Sequence, residues 1–333
     1  MLNIGVLGAA NIARLFIAAV RPSTQARIVA VGSRDVDKAR AFALETQVPV
    51  AHGSYEALLA DPEIDAIYNP LPNNLHAEWS IRAMQAGKHV LCEKPLCLSA
   101  ADAVKMFDVA QRQKVYLAEG YPYRCQPQTM ALAKLLRERA VGNLLRVNAS
   151  FGFLFSATTS KIRLDPTLGG GSLWDAGSYP VSLVRMIAGE RATRAHAFAR
   201  WGDTGVDQTL VGSLEFPSGL LAQVACSFAT VRHRRAILVG DAGMISTTYF
   251  NDTSAQMRAH TEVWRGIGFD APRELIESPE MPGFLAEADA FAALVREGWS
   301  EWPGTTPQES IDIAAMLEAL AQSAKSGQAV KIG

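Results

Sequence analysis

Over the first 120 residues, short apolar runs alternate with stretches of helical periodicity. "LNIGVLG" (Leu2 to Gly8), "ARIVAVGSR" (Ala26 to Arg34), "AIYNPLP" (Ala66 to Pro72), "HVLCEKP" (His89 to Pro95) and "KVYLAEG" (Lys114 to Gly120) each read as a buried strand ending in turn chemistry. Between them lie "DVDKARAFALET", "NNLHAEWSIRAMQAG" and "SAADAVKMFDVAQRQ", whose apolar residues recur at helical spacing. Ser99 and Asp102 have capping-box spacing at the start of the third, and Gly87 is a suitable left-handed stop for the second. Such alternation predicts a parallel sheet covered by helices on both faces.

After "GYPYRCQPQ" the texture changes. Pro127 opens a helix to about Arg139, and long alternating strands follow: "LLRVNASFGFLF", "TRAHAFARW", and two hairpins in "TLVGSLEFPSGLLAQVACSF" and "RRAILVGDAGMISTTYF". The chain closes with helices in "FLAEADAFAALVREG" and "TPQESIDIAAMLEALAQSAKSG", the latter with Thr306 as N-cap, Pro307 in the first turn and Gly327 past the end. The expected fold class is α/β. An N-terminal Rossmann domain with a doubly wound parallel sheet, residues 1–120, precedes an α/β domain with an open, mostly antiparallel sheet, residues 121–333.

Length permits two cores, because single cores seldom grow past about 300 residues. Thirty-two Lys and Arg against thirty-three Asp and Glu leave a net charge of -1, which points away from nucleic acid and anionic membranes and toward a small-molecule partner or a second copy of the chain. Cys92, Cys97, Cys125 and Cys226 form no C-x-x-C pair and read as reduced, mostly buried thiols. With no signal-like leader and no apolar run of about 18 residues, the expectation is a soluble cytoplasmic protein. No metal site is expected.

"IGVLGAANIARLF" is a strand, a tight turn and a helix opening, where a dinucleotide pyrophosphate meets free N–H groups. Against G-x-G-x-x-G the positions read Gly8, Ala10 and Ala13, with Asn11 and Ile12 opening the helix. The next strand ends in Gly32-Ser33-Arg34, where an NAD-binding protein usually offers an acid to the ribose hydroxyl. Ser33 and Arg34 suit a 2'-phosphate and favour NADP, while Asp35, one place later, keeps NAD possible.

Ligands of open parallel sheets sit beyond the carboxyl ends of the strands, which is where Lys94 lies. Glu93 before it can accept from a nicotinamide ribose, and Pro95 biases Lys94 toward extended geometry. "AGKHVLCEKPL", "YNPLPNNLHAEW" and "LDPTLGGGSLWDAGSYPVSLVR" resemble hallmark segments of the glucose-fructose oxidoreductase / inositol dehydrogenase / rhizopine catabolism (Gfo/Idh/MocA) oxidoreductases. The resemblance spans the chain and is strongest to the subgroup holding glucose-fructose oxidoreductase, NADP-dependent xylose dehydrogenases, anhydrofructose reductase and dimeric dihydrodiol dehydrogenases.

"GGGSLWDAGSYP" sets Asp175 and Tyr179 four apart, on one face of a helix, after a loop of Gly169, Gly170 and Gly171. On spacing alone, Asp175 also forms a capping box with Ser172, and Tyr179 also reads as a core residue. The resemblance implies a catalytic set of Lys94, Asp175 and Tyr179, with Leu71, Pro72, Asn73 and His76 lining the nicotinamide side and Arg124 nearby. "YRCQPQ" departs from that family's commoner aromatic-then-His/Asn pattern before proline. Arg163 and Asp165 precede the glycine loop and are candidates to hold substrate hydroxyls.

Hydride exchange at a carbinol carbon needs a base for the hydroxyl proton. Tyr179 serves if Lys94 beside it lowers its pKa; equally, Lys94 serves if the nicotinamide cation lowers its own. Asp175 orients the sugar hydroxyl or the lysine. The expected function is NADP-preferring hydride transfer at a CH-OH group of a sugar, sugar derivative or cyclic vicinal diol, in a homodimer or higher oligomer formed through the C-terminal sheet. The rival is a catalytically silent NAD(P)-sensing regulator on the same fold.

Overall fold

The computed structural model describes residues 1–155, 162–268 and 270–333. Two compact units emerge. The first comprises Met1–Cys97, Ala101–Cys125 and Pro282–Pro307; the second comprises Leu98–Ala100, Gln126–Met281 and Gln308–Gly333. A division at residue 120 would leave Pro282–Pro307 with the second unit, but its packing groups it with the first.

The first unit runs β1 (Leu2–Leu7), α1 (Asn11–Val20), β2 (Ala26–Gly32), α2 (Val36–Thr46), β3 (Val50–His52), α3 (Tyr55–Leu59), β4 (Ala66–Asn69), α4 (His76–Gln85), β5 (His89–Glu93), α5 (Ala100–Gln113) and β6 (Leu117–Gly120). The strands are all parallel in the order β3-β2-β1-β4-β5-β6. The order reverses between β1 and β4, the place where open α/β sheets bind ligands. β4 and β6 are buried along their whole length, which is why their sequences show no alternation.

Between β6 and Pro282–Pro307, the segment that returns to the first unit, the second unit runs α6 (Pro127–Arg137), β7 (Leu144–Leu154), α7 (Ser178–Ala188), β8 (Arg194–Trp201), β9 (Asp207–Glu215), β10 (Leu221–Ser227), β11 (Ala229–Gly240), β12 (Gly243–Thr248), β13 (Thr261–Arg265) and β14 (Arg273–Leu275). The chain ends with α8 (Gly283–Glu297), α9 (Pro307–Ser326) and β15 (Val330–Lys331). The second sheet is ordered β14-β13-β12-β11-β7-β10-β9-β8-β15 and is antiparallel except where β10 lies parallel to β7. Both expected hairpins form, as β9 with β10 and β11 with β12. Inward-facing Leu210, Leu214, Ala222 and Val224 are buried, while Val211 and Leu221 on the opposite face are exposed.

α8 belongs with the first sheet. Phe284, Ala288, Phe291 and Leu294 join the core built on Ile4, Val6, Phe16 and Tyr68. The Phe16 ring stacks on Tyr68 at 3.8 Å and meets Phe284 edge-on at 5.7 Å. Ser23 Oγ donates to Asp289.

Candidate active site

The turn after β1 is shaped for close backbone approach. Gly8 has φ +86°, and a Cβ there would lie 3.1 Å from Leu71 Cδ2, so both conformation and space call for glycine. Ala10 precedes α1 in extended geometry, and α1 has neither a side-chain cap nor an acidic residue in its first turn. The N–H groups of Asn11 and Ile12 therefore begin a helix whose positive end is unneutralised, the arrangement that suits a pyrophosphate.

At the end of β2, Ser33 is buried and its hydroxyl accepts from the Asp35 amide at 3.4 Å. Asp35 caps α2: Oδ1 accepts from Asp37 N at 2.9 Å and Lys38 N at 3.0 Å. That carboxylate is thereby turned onto its own helix. The exposed Arg34 lies beside the Tyr55 hydroxyl; burial pushes the Tyr55 phenol up, and Arg34 opposes the shift.

β5 delivers the acid and amine predicted from "CEKP". Tyr68 Oη donates to Glu93 Oε1 at 2.6 Å, and the Lys94 amide donates to Glu93 Oε2 at 3.3 Å. The Lys94–Pro95 peptide is cis. His76, at the start of α4, is fully buried between two loops: Nδ1 lies 2.8 Å from Pro95 O, and Nε2 lies 2.7 Å from Leu71 O. Asn69 completes this clamp, with Oδ1 accepting from Leu71 N at 3.3 Å and Nδ2 donating to Ser80 Oγ at 3.0 Å. Leu71 and Pro72 thus lead into the turn Asn73–Leu75 in a fixed relation to Lys94.

A neutral imidazole donates once, so one of those carbonyls faces a lone pair. Burial, aided by the Lys94 ammonium, still pushes His76 down to about 4 against the pull of both carbonyls. Its unfolded value is about 6.5, so between about pH 4 and 6.5 only the unfolded chain takes up the proton, and stability rises with pH through that window. We expect denaturation midpoints to fall on acidification from about pH 6.5, with wild type losing up to about 3 kcal/mol relative to His76→Gln by pH 4. A wild type and variant that respond in parallel would mean the native ring is already charged.

Arg124, buried, donates from Nη2 to Gly304 O at 3.2 Å and so ties the returning segment to the turn after β6. Cys125 is buried, which pushes its thiol up, with the Glu287 carboxylate adding to the effect.

In the second unit the D-x-x-x-Y segment takes a form the spacing did not announce. Residues Leu173–Gly177 make a π turn that runs directly into α7. Pro180, inside the first turn of α7, cannot donate to the carbonyl four residues back, and a widened turn ahead of it relieves that conflict. No capping box forms. Ser172 Oγ instead donates to Asp207 Oδ2 at 2.6 Å, and Leu173 N donates to the same oxygen at 2.8 Å. Gly171, at φ +116°, makes room for that carboxylate: a Cβ would lie 2.2 Å from Asp207 Oδ1. Burial pushes Asp207 up, opposed by the Ser172 and Leu173 donors.

Asp175 sits in the π turn and accepts from Arg163 Nε at 2.5 Å, while the Arg163 guanidinium lies over Phe155 at 5.5 Å and Phe153 at 5.9 Å. Asp165 caps the short turn after it, accepting from Thr167 N at 2.9 Å. Tyr179 opens α7, with its hydroxyl accepting from Asn251 Nδ2 at 2.9 Å. The second unit thus collects Arg163, Asp175 and Tyr179 along one helix opening; the first collects Glu93, Lys94, Leu71 and His76 beyond β4 and β5.

Comparison with known proteins decides the family. Residues 2–121 match the oxidoreductase family model with an NAD-binding Rossmann fold, and residues 129–246 match the GFO/IDH/MocA C-terminal domain. A D-xylose 1-dehydrogenase (NADP(+)) of Haloferax volcanii is 36% identical over 335 residues, covering 98% of this chain and 99% of that protein. The chain belongs to the GFO/IDH/MocA oxidoreductase family. Another GFO/IDH/MocA relative, the trans-1,2-dihydrobenzene-1,2-diol dehydrogenase of Danio rerio, is 35% identical over 244 residues, 72% of each chain. Among solved structures, the 3-ketoreductase KijD10 of Actinomadura kijaniata, in complex with NADP and TDP-benzene, superposes with a TM-score of 0.86 at 29% identity, covering 97% of each chain. The protein is accordingly an oxidoreductase of this family. Among the described residues, no His/Cys/Asp/Glu group is suited to a metal ion and no helix is long and apolar enough to cross a membrane.

Proposed function

We propose that this protein is an NADP-preferring dehydrogenase or reductase acting at a CH-OH group of a sugar, sugar derivative or cyclic vicinal diol. The observation that carries the reading is Lys94, fixed at the carboxyl end of β5 by Glu93 and by the loop that His76 clamps. The named activities of the relatives support the substrate class. The preference for NADP rests on the end of β2, where Asp35 is spent on capping α2 while Ser33 and Arg34 precede it. Gly8, Ala10, Asn11 and Ile12 would hold the pyrophosphate, Ser33 and Arg34 the 2'-phosphate, and Leu71, Pro72, Asn73 and Glu93 the nicotinamide end.

When bound, the nicotinamide supplies or accepts the hydride. The chain's own residues would handle the proton: Lys94 or Tyr179 exchanges it with the substrate oxygen, and Asp175, paired with Arg163, orients a neighbouring hydroxyl. Four buried free thiols suit a reducing, cytoplasmic setting. The test is nicotinamide reduction by the pure protein with NADP or NAD and a panel of aldoses, cyclic polyols and trans-dihydrodiols. Turnover favouring NADP supports the reading. Tight NADPH binding without turnover on any substrate would point to a sensor.

The open face of the second sheet carries Phe198, Val211, Leu221 and Ile237, all exposed; Phe198 lies opposite Val211, while Leu221 lies between Glu215 and Arg146 and Ile237 opposite Asn148. Four exposed large apolar side chains on one sheet face support pairing with a second copy of the chain. Val211→Arg is expected to convert a dimer into monomers in sedimentation. A wild type that is already monomeric would rule the arrangement out.

A further inference from the structure

One buried cation in the second unit has no place in the reading above. Arg234, on β11, is 6% exposed, and its guanidinium carbon lies 3.8 Å from the centre of the Tyr179 ring, with Tyr249 at 4.8 Å and Phe151 at 5.0 Å. Arg234 Nη1 donates to Asn251 Oδ1 at 3.0 Å, and Asn251 Nδ2 donates to Tyr179 Oη at 2.9 Å. Gln126 holds the backbone of Asn251, its Nε2 donating to Asn251 O at 2.6 Å and to Met281 O at 2.9 Å.

The chemistry of these groups fixes the direction of the chain of hydrogen bonds. A guanidinium has donors only, so the amide of Asn251 must turn its oxygen to Arg234. Its N–H then faces Tyr179, whose oxygen has to accept. An accepted hydrogen bond is stronger when the acceptor is ionised, and a cation against the ring face attracts a phenolate more than a phenol. Taking a guanidinium out of water is costly, and apolar neighbours such as Phe151 would hold the ring without one.

We propose that Arg234 and Asn251 are positioning residues that stabilise the phenolate of Tyr179 and so make it the proton acceptor and donor of the reaction. This deepens the oxidoreductase reading and rests on it for the proton's destination. In oxidation the substrate O–H gives its proton to Tyr179 Oη as the carbinol hydride leaves for the nicotinamide. In reduction the same proton returns to the oxygen of the carbonyl that receives the hydride. Lys94 is then left to bind and polarise that oxygen.

Other charged or titratable groups of the unit bear on the opening of α7. Tyr249 lies beyond β12 and donates to Ser150 O at 2.8 Å. Cys226 on β10 faces the π turn, with its thiol pushed up by burial. Asp207 at the start of β9 is held by Ser172, Asp175 pairs with Arg163, Asp252 follows Asn251, and Arg185 at the far end of α7 pairs with Asp312 on α9.

The test reads Tyr179 directly. The near-ultraviolet tyrosinate band is titrated in wild type and in Tyr179→Phe, without substrate, and the difference isolates this one phenol. Its midpoint is expected below the ordinary value of about 10, rising by about one unit or more in Asn251→Asp and in Arg234→Met, and partly restored in Arg234→Lys. The acidic limb of the pH profile for oxidation should move by the same amount, with kcat affected more than KM. A Tyr179 midpoint that stays put in folded variants overturns the proposal; should Arg234→Met fail to fold, Asn251→Asp decides. If the midpoint shifts as stated but no substrate in the panel is turned over, the oxidoreductase reading fails and the stabilised phenolate stands.

Discussion

Lys94→Ala should lower kcat by about 10^3-fold or more, the scale of losing a positioned proton-transfer or oxygen-polarising group, while leaving the fold intact. The fold survives because the backbone at this position is held independently of the side chain. Glu93 accepts from the Lys94 amide, and His76 grips the carbonyl of Pro95. Steady-state kinetics on the substrate found in the panel, beside circular dichroism of the variant, checks both halves. A kcat within tenfold of wild type would remove Lys94 from the chemistry.

Asp312→Ala is expected to cost about 3–5 kcal/mol of stability, because it strands a buried guanidinium. Asp312 is 2% exposed; its Oδ2 accepts from Arg185 Nε at 2.7 Å, and Arg191 approaches its other oxygen at 3.7 Å. The pair joins the last turns of α7 to α9, so the helix that carries Tyr179 in its first turn is fixed at its far end by this contact. Replacing both partners, as Arg185→Met with Asp312→Leu, should recover much of the loss, since the penalty arises from the unpaired charge. Chemical denaturation distinguishes the two variants. A loss under about 1 kcal/mol in Asp312→Ala would show that Arg185 reaches water or another acceptor.

Much of the fold was legible because each unit repeats one signal. Buried parallel strands ended in turn residues, and antiparallel strands alternated, so the sheets and both hairpins could be read directly. What escaped depended on contacts distant in sequence. β3 and β14, with three residues each, are too short for periodicity to register. The π turn answers to Pro180 and to Asp207, which is 35 residues away from Ser172. Gln126, in the segment departing from the family pattern, gains its role from Asn251, 125 residues on. Arg234 carried a usable signal: counting back by twos from the buried Ala236 and Leu238 puts it on the inner face of β11, among arginines that otherwise look like a solvated run.

The order in which the ribosome releases the chain gives the position of α8 a further meaning. The layer over α1 is completed by Phe284, Ala288 and Phe291, residues that emerge only after nearly all of the second unit has been made. Until then a nascent chain presents Phe16 and its apolar neighbours without their cover. The N-terminal half therefore waits on the C-terminal half, and a stalled or prematurely terminated chain would offer chaperones and proteases a sheet with an unfinished face.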